Sequence, residues 1–547
     1  MKMSIKTASL LAVSALFYTA CSLDTLPEGA TVTDQQKQEI VEANPERIAA
    51  DAAALTSMIF SQNTLKGGYA NDFGIPSICI AHDYNGPDMV GADNDYNWFS
   101  VACDYTDRDP DYIVPAVEWN VCYNYLKAAN DLLKAIPADT ENETLRVYRG
   151  QALVGRAFVL FNLVQRFQFT YKGHEDAPSI PLVTDEMSAD EAAVNPRAAV
   201  GDVYAQIMSD LNDAVDYLEG YTRPNCSLID QQVVYGMRAR VNLVMNNWAE
   251  AAADAEKALA GHTPYTVQEV SKPTFQDAHG SWIWGCIINE ADLGGSYGQN
   301  WQSWLGSLND GYATGVATYA MINVELYNKI PATDVRKGWW VDEDLKSPLI
   351  DNLSWPGYSG QPIGPLKISE VKEPFLPYTN VKFGPDGDKV GNTVNAGDWP
   401  LMRAEEMIFI QAEATAMAGN LQGGKTILEN FVKSYRDASY TSKASNAADF
   451  QNEVWFQRRV ELWGEGFAWL DMMRLKKPLV RFHGSRKEVS NFPDAFRFNI
   501  PAEDPIFLCR IPRGEINANE GISQDDNNTG EYPIMDQNPS LLDGVTD

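Results

Sequence analysis

The stretch from Leu145 to Val183 constrains this chain more than any other. It reads LRVYRGQALVGRAFVLFNLVQRF, then QFTYKGHEDAPSIPLV. Leu153, Ala157, Leu160, Phe161 and Val164 recur at i, i+4, i+7, i+8 and i+11, one apolar stripe on an α-helix. Arg146, Arg149 and Gln165 fall away from that stripe. A helix of about 23 residues spans about 35 Å, the width of a small domain. Gly150, Ala152, Gly155 and Ala157 are small enough to let neighbouring helices approach closely. The reading from packing alone is a core helix of a helical protein.

The rest of the chain extends that pattern. Residues 22–36 read as polar and extended, and Lys37 to Gln62 as a helix. Asp72 to Val90 (DFGIPSICIAHDYNGPDMV) carries Gly and Pro punctuation and is not one long helix. Residues 93–100, DNDYNWFS, read as a loop. Further helices are expected from Pro115 to Ile136, over 200–219, from Gln231 to Met245, Trp248 to Ala260, Met402 to Ala418 and Leu421 to Tyr435. The small/large alternation of ARVNLVMNNWAEAAADAEKAL is that of a tetratricopeptide unit. About four helical pairs result, degenerate in period. The long stretch of about 262–398 breaks them; it is rich in Gly, Pro, Trp and Tyr. A connection that long inside a repeat usually carries function. The expected fold is therefore mostly α: tetratricopeptide-like helical pairs (about 37–260 and 400–478) with a long irregular loop and short-strand insertion, all in one domain over 37–547.

Charge and motif content exclude several functions. With 43 basic against 74 acidic residues the net charge is −31, wrong for nucleic acid, which requires a basic face, and for adhesion to anionic lipid. Seven cysteines include no C-x-x-C pair, and five histidines no H-E-x-x-H, so no zinc or thioredoxin-type site is expected. No P-loop or G-x-S-x-G elbow appears. No cofactor is expected; a structural Ca²⁺ is compatible with so acidic a chain, but no Ca²⁺ loop motif is present.

The N-terminus reads as an export signal. Lys2 and Lys6 precede an apolar run from Ala8 to Ala20, too short to span a bilayer and right for a signal peptide over 1–20. It ends Tyr18-Thr19-Ala20-Cys21. A small residue before Cys resembles a lipobox, which makes Cys21 the lipidation site and 21–36 a tether. Tyr18 stands where Leu is usual. Acyl chains of the palmitate kind on Cys21 exceed the two signals that stable anchoring needs.

Several segments, in order, resemble the SusD/RagB family. These are the helix R-x-x-A-x-x-x-R-A-x-x-x-F-x-L-V-x-x-F with its loop ending I-P-L-V, the start C-S-L-D-T-L-P at Cys21, and D-F-G-x-P…D-x-x-G-x-D-M-V over 72–90. QRRVELWGEGFAWLDMMRLKKP (457–478) and FLCRIPRGEINAN (507–519) complete the series. The resemblance implies a non-catalytic outer-membrane lipoprotein on the cell surface. Such a protein binds an oligosaccharide and acts as a lid on a SusC-like TonB-dependent transporter. The alternatives kept beside it are a surface-bound glycoside hydrolase and a peptide-binding or scaffold lipoprotein of the same fold.

Sugars present C–H faces to aromatic rings and hydroxyls to polar side chains, in concave sites with few polar anchors. Two stretches have that make-up. One is Tyr96-Asn97-Trp98 with Asp83 and Asn85. The other is Ser296 to Trp304, with Tyr297, Asn300, Trp301 and Trp304. A hydrolase would need two carboxylates at a set separation. Glu461 and Glu465, i and i+4 among Arg458, Arg459 and Arg474, instead read as an ion network. No catalytic and no metal-ligating residue is assigned.

Overall fold

A computed structural model describes residues 33–294, 298–350 and 375–547. The Glu143–Phe167 helix lies at its centre. Asn142 caps it, accepting from the Thr144 and Leu145 amides, and Glu143 favours the positive end of the helix dipole. From Gly150 to Phe167 nearly every residue is buried, so the helix is enclosed on all faces rather than along one stripe, with Arg156, Asn162 and Arg166 among the buried side chains. The small residues do what their size suggests. A Cβ on Gly155 would lie 2.3 Å from the Tyr125 hydroxyl, and one on Gly150 2.7 Å from Leu218. Those contacts seat the Ile113–Ala135 and Val200–Tyr217 helices against it. Arg156, buried in the same helix, forks onto Asp210 with two contacts of 2.7 Å. Each fully buried Leu, Val or Phe here contributes about 1.5–3 kcal/mol.

The helices stack in chain order. Ile113–Ala135 packs on Glu143–Phe167, that on Val200–Tyr217, then on Gln231–Val244 and Trp248–Ala258. Next against Trp248–Ala258 comes Ala404–Met417, followed by Leu421–Tyr435 and Ala447–Glu461. The long insertion thus leaves and re-enters between two helices that touch. Its neck is closed by antiparallel strands Trp282–Cys286 and Trp399–Arg403, paired with register shifts. Two further two-stranded pairs complete the sheet content among the described residues: Met89–Val90 with Met321–Ile322, and Pro178–Pro181 with Arg197–Ala199. No described helix is long and apolar enough to cross a membrane.

Three expectations are corrected. Residues 33–36 are not extended: Thr33 and Gln36 form a capping box that starts a helix at Asp34. The helix expected over Lys37–Gln62 is two, Asp34–Ala43 and Ala49–Met58, parted at Asn44-Pro45 because proline cannot continue a helix from within. The 457–478 segment is also broken. Ala447–Glu461 ends at Glu461, Gly464 and Gly466 take φ of 83° and 91°, and Ala468–Arg474 follows. Asp72–Val90 likewise contains a helix, Ile75–Asn85, entered through Pro76 in its first turn. The proposed signal peptide, Cys21 and Tyr297 lie outside the described residues.

Candidate ligand-binding surface

Two of the sequence-selected aromatics share one surface loop. Residues Asn94 to Asn97 form a tight turn closed by the Asn97 amide on the Asn94 carbonyl at 3.1 Å. The Asn94 side chain accepts from the Tyr96 amide at 3.0 Å and donates to the Val316 and Ala317 carbonyls. Asn97 turns inward to the Ala92 carbonyl at 2.8 Å. That anchoring leaves Tyr96 57% and Trp98 38% exposed. Asn71 donates to the Trp98 carbonyl at 3.2 Å.

Tyr69, which sequence reasoning missed, completes the surface. Its ring meets Trp98 edge-on, centroids 6.2 Å apart at 65°, within the favoured geometry for aromatic pairs. It closes a loop in which Asn63, Lys66 and Gly68 have positive φ, and Gln299 donates to its carbonyl at 2.8 Å. The Gly67-Gly68-Tyr69 string was the available signal: a glycine turn presenting a lone aromatic.

The other selected residues lie inside the protein. Trp304 is fully buried, stacked on Tyr312 at 4.4 Å with Phe99 edge-on at 5.1 Å, and its indole donates to the Gly298 carbonyl. Trp301 is buried between Phe383 and Trp399 and donates to the Gly397 carbonyl. Asn300 caps the short helix that holds both, accepting from the Ser303 amide at 2.8 Å. A segment poor in regular structure has few helix or strand faces to pack, so large rings become its core. Asp83 is buried and accepts from the Gly466 and Ala468 amides at 2.9 and 3.2 Å. Burial pushes its carboxyl up to about 7 against the pull of those two amides. Asn85 donates to the Ala102 carbonyl and accepts from buried Arg108. Trp98 therefore does not share a cleft with Trp301 and Trp304; its chain neighbour Phe99 is the ring that meets Trp304.

The carboxylates considered for hydrolysis are fully engaged. Glu461 accepts two bonds of 2.7 Å from Arg436 and lies 3.3 and 3.5 Å from Arg336 and Arg403. Glu465 takes Arg403 at 2.8 Å and Lys382 at 2.7 Å. All six side chains are buried. Burial acts to raise the Glu461 carboxyl, but the three guanidiniums hold it well below the usual range. Its partners come from the insertion and the later helical pair, not from Arg458, Arg459 and Arg474, which bind Asp471, Asp88 with Asp543, and Glu413 with Asp471. Among the described residues no three His, Cys, Asp or Glu side chains are grouped to hold a metal.

Residues 80–243 match a family model described as starch-binding and associating with the outer membrane, and residues 350–529 match the SusD family model. No curated protein matches the chain. Among solved structures, a SusD-like carbohydrate-binding protein from Bacteroides vulgatus superposes with a TM-score of 0.70 at 22% identity, over 88% of this chain and 98% of that one. A SusD superfamily protein from Bacteroides thetaiotaomicron gives 0.65 at 19% identity over 90% and 99%. A laminarin-binding SusD-like protein gives 0.60 at 18% identity over 87% and 98%. The helical stack with its looped-out insertion is the fold of these neighbours, and with two family models taking in more than half of its length, the chain belongs to the SusD/RagB family.

Proposed function

We propose that this protein captures an oligosaccharide at the cell surface and passes it to a SusC-like TonB-dependent transporter in the outer membrane. The observation that carries the reading is the edge-to-face pair of half-buried Tyr69 and exposed Trp98, with exposed Tyr96 two residues before Trp98. Rings held at 65° would present non-parallel faces to a sugar, and the exposed Asn63, Asp93 and Asp95 on the same two loops would supply acceptors and donors for its hydroxyls. The family match supports the ligand class, as does the laminarin-binding neighbour. In this reading Cys21 carries the lipid, and the chain is tethered by it rather than inserted.

The test is calorimetry and tryptophan fluorescence of residues 22–547 against laminarin, amylopectin and xylan, with reducing-end release assayed in the same samples. Binding without release, lost in Trp98→Ala, is the expected result. Release with turnover would replace capture with hydrolysis. Binding untouched by Trp98→Ala would move the site elsewhere.

A further inference from the structure

We infer that the Tyr69–Trp98 surface selects uncharged glycans and rejects those bearing uronate or sulfate groups. This rests on the proposed function of that surface and adds to it a charge rule. Asp95 is a corner of the Asn94–Asn97 turn, adjacent to Tyr96, and its Cα lies at most about 11 Å from that of Trp98, three peptide units along. Asp93 precedes the turn. Both are exposed, and neither has an ion-pair partner among the described residues. On the Tyr69 side, Lys66 is the single charged residue of the 61–71 loop and is likewise exposed.

The neighbouring segments add no cation. Residues 298–304 and 311–320 contain no charged side chain. Asp72 is taken up by the Thr64 hydroxyl and the Leu65 amide, and Asp88 by Arg459. So none of these segments brings a guanidinium to the aromatic pair, and no Arg or Lys lies over the Tyr69, Tyr96 or Trp98 ring among the described residues. Carboxylates and sulfates are held by forked, charge-assisted contacts from arginine. Without one, an anionic sugar forgoes an interaction worth roughly ten- to a hundredfold in affinity. It also meets Asp93 and Asp95. A uronate seated about 8 Å from one of these carboxylates in water loses about two- to threefold, an effect that salt screens. Lys66 offsets one such contact, not both. For a neutral hexose the same carboxylates are hydroxyl acceptors. The net charge of −31 adds long-range repulsion of polyanions.

The experiment is calorimetry of residues 22–547 at low and at 0.5 M salt against two sets of probes: laminarin, amylopectin and arabinoxylan free of uronate as neutral polymers, and polygalacturonate, alginate and dextran sulfate as anionic ones. The double variant Asp93→Asn/Asp95→Asn is run alongside, with its fold checked by circular dichroism. The expected result is that only neutral probes bind tightly at low salt. Any residual anionic binding rises severalfold in salt or in the double variant. Anionic probes that bind as tightly as neutral ones at low salt, or a preference unchanged in both salt and variant, would overturn the charge rule while leaving carbohydrate capture standing. If no probe of either class binds, the capture reading itself falls and the rule falls with it.

Discussion

Replacing Glu461 by Gln tests whether the buried ion network holds the insertion to the helical stack. Three guanidiniums surround this carboxylate, from Arg336 in the insertion, Arg403 at its return strand and Arg436 after the next helical pair. None of the four side chains has appreciable solvent contact. Gln keeps the shape and one acceptor but removes the negative charge, leaving three buried cations with Glu405, Glu465 and Asp334 as their remaining counterions. Breaking a buried pair by neutralising one partner costs about 3–5 kcal/mol. Because this one carboxylate touches all three cations, the upper end is expected. Total stabilities run about 5–15 kcal/mol, so this is a third or more. Urea unfolding read by far-ultraviolet circular dichroism and by tryptophan fluorescence provides the assay, coincident transitions being required for a single free energy. Asp131→Asn, which removes an exposed i,i+4 partner of Lys127, is the control and should cost about 0.5 kcal/mol or less. A Glu461→Gln cost below about 1 kcal/mol would refute the network's structural role.

Other expectations follow from single contacts. Burial acts to raise the Glu118 carboxyl, but Arg166 and His82 hold it down to about 2 from 4.5. Its folded value lies below its unfolded one, so its stabilisation is present above pH 4.5 and lost as pH falls through 2. The gap of about 2.5 units corresponds to roughly 3 kcal/mol, and urea titrations across that window should show a shallower fall in Glu118→Gln. Gly466→Ala should destabilise by about 2 kcal/mol or more, since φ is 91° and the new methyl would lie 2.6 Å from the Cys79 Cβ; Gly68→Ala, with φ of 69° and nothing within 4 Å, should cost about 1 kcal/mol. Trp304→Ala should cost about 3–5 kcal/mol of stability through the cavity it leaves, whereas Trp98→Ala should cost under about 1 kcal/mol and abolish glycan binding; equal costs would contradict the burial difference.

The sequence made the helices legible because their apolar spacing and small residues survive without context. Gly150 and Gly155 pointed to close helix packing, and each seats a neighbouring helix. The positions where helices stop were harder to read. Asn44-Pro45 carries its break in plain view, but Glu461 to Ala468 looks like one amphipathic helix until Gly464 and Gly466 adopt positive φ, which only the tertiary contact with Phe383 and Cys79 requires. The candidate surface was legible in part for a related reason. Trp98 and Trp304 have similar polar neighbours in sequence, and nothing local distinguishes a ring that faces water from one stacked beneath Tyr312. The deciding fact is long-range: the Gly298–Trp304 segment folds under the 62–72 loop, as Gln299 on the Tyr69 carbonyl and Trp304 on the Ala70 carbonyl record.

On the proposed function, that burial would give Trp304 a part in recognition other than contact. Trp98 is followed by Phe99, which is wholly buried between Tyr84, Phe73 and Trp304. Trp304 in turn fixes the 62–72 loop through Ala70, and half-buried Tyr69 is that loop's aromatic ring. The two surface rings therefore project from backbone held by one aromatic core, rather than from independent loops. Ordering a side chain on binding costs about 0.5–1.5 kcal/mol each, and rings already fixed at 65° avoid much of that. A glycan meeting Tyr69 and Trp98 would bind a preformed shape. On this argument a conservative change beneath the surface, Trp304→Phe, should weaken glycan binding without touching the glycan. Its signature would be a less favourable binding entropy at nearly unchanged enthalpy, while a loss confined to enthalpy would mean that Trp304 or its neighbours contact the sugar directly.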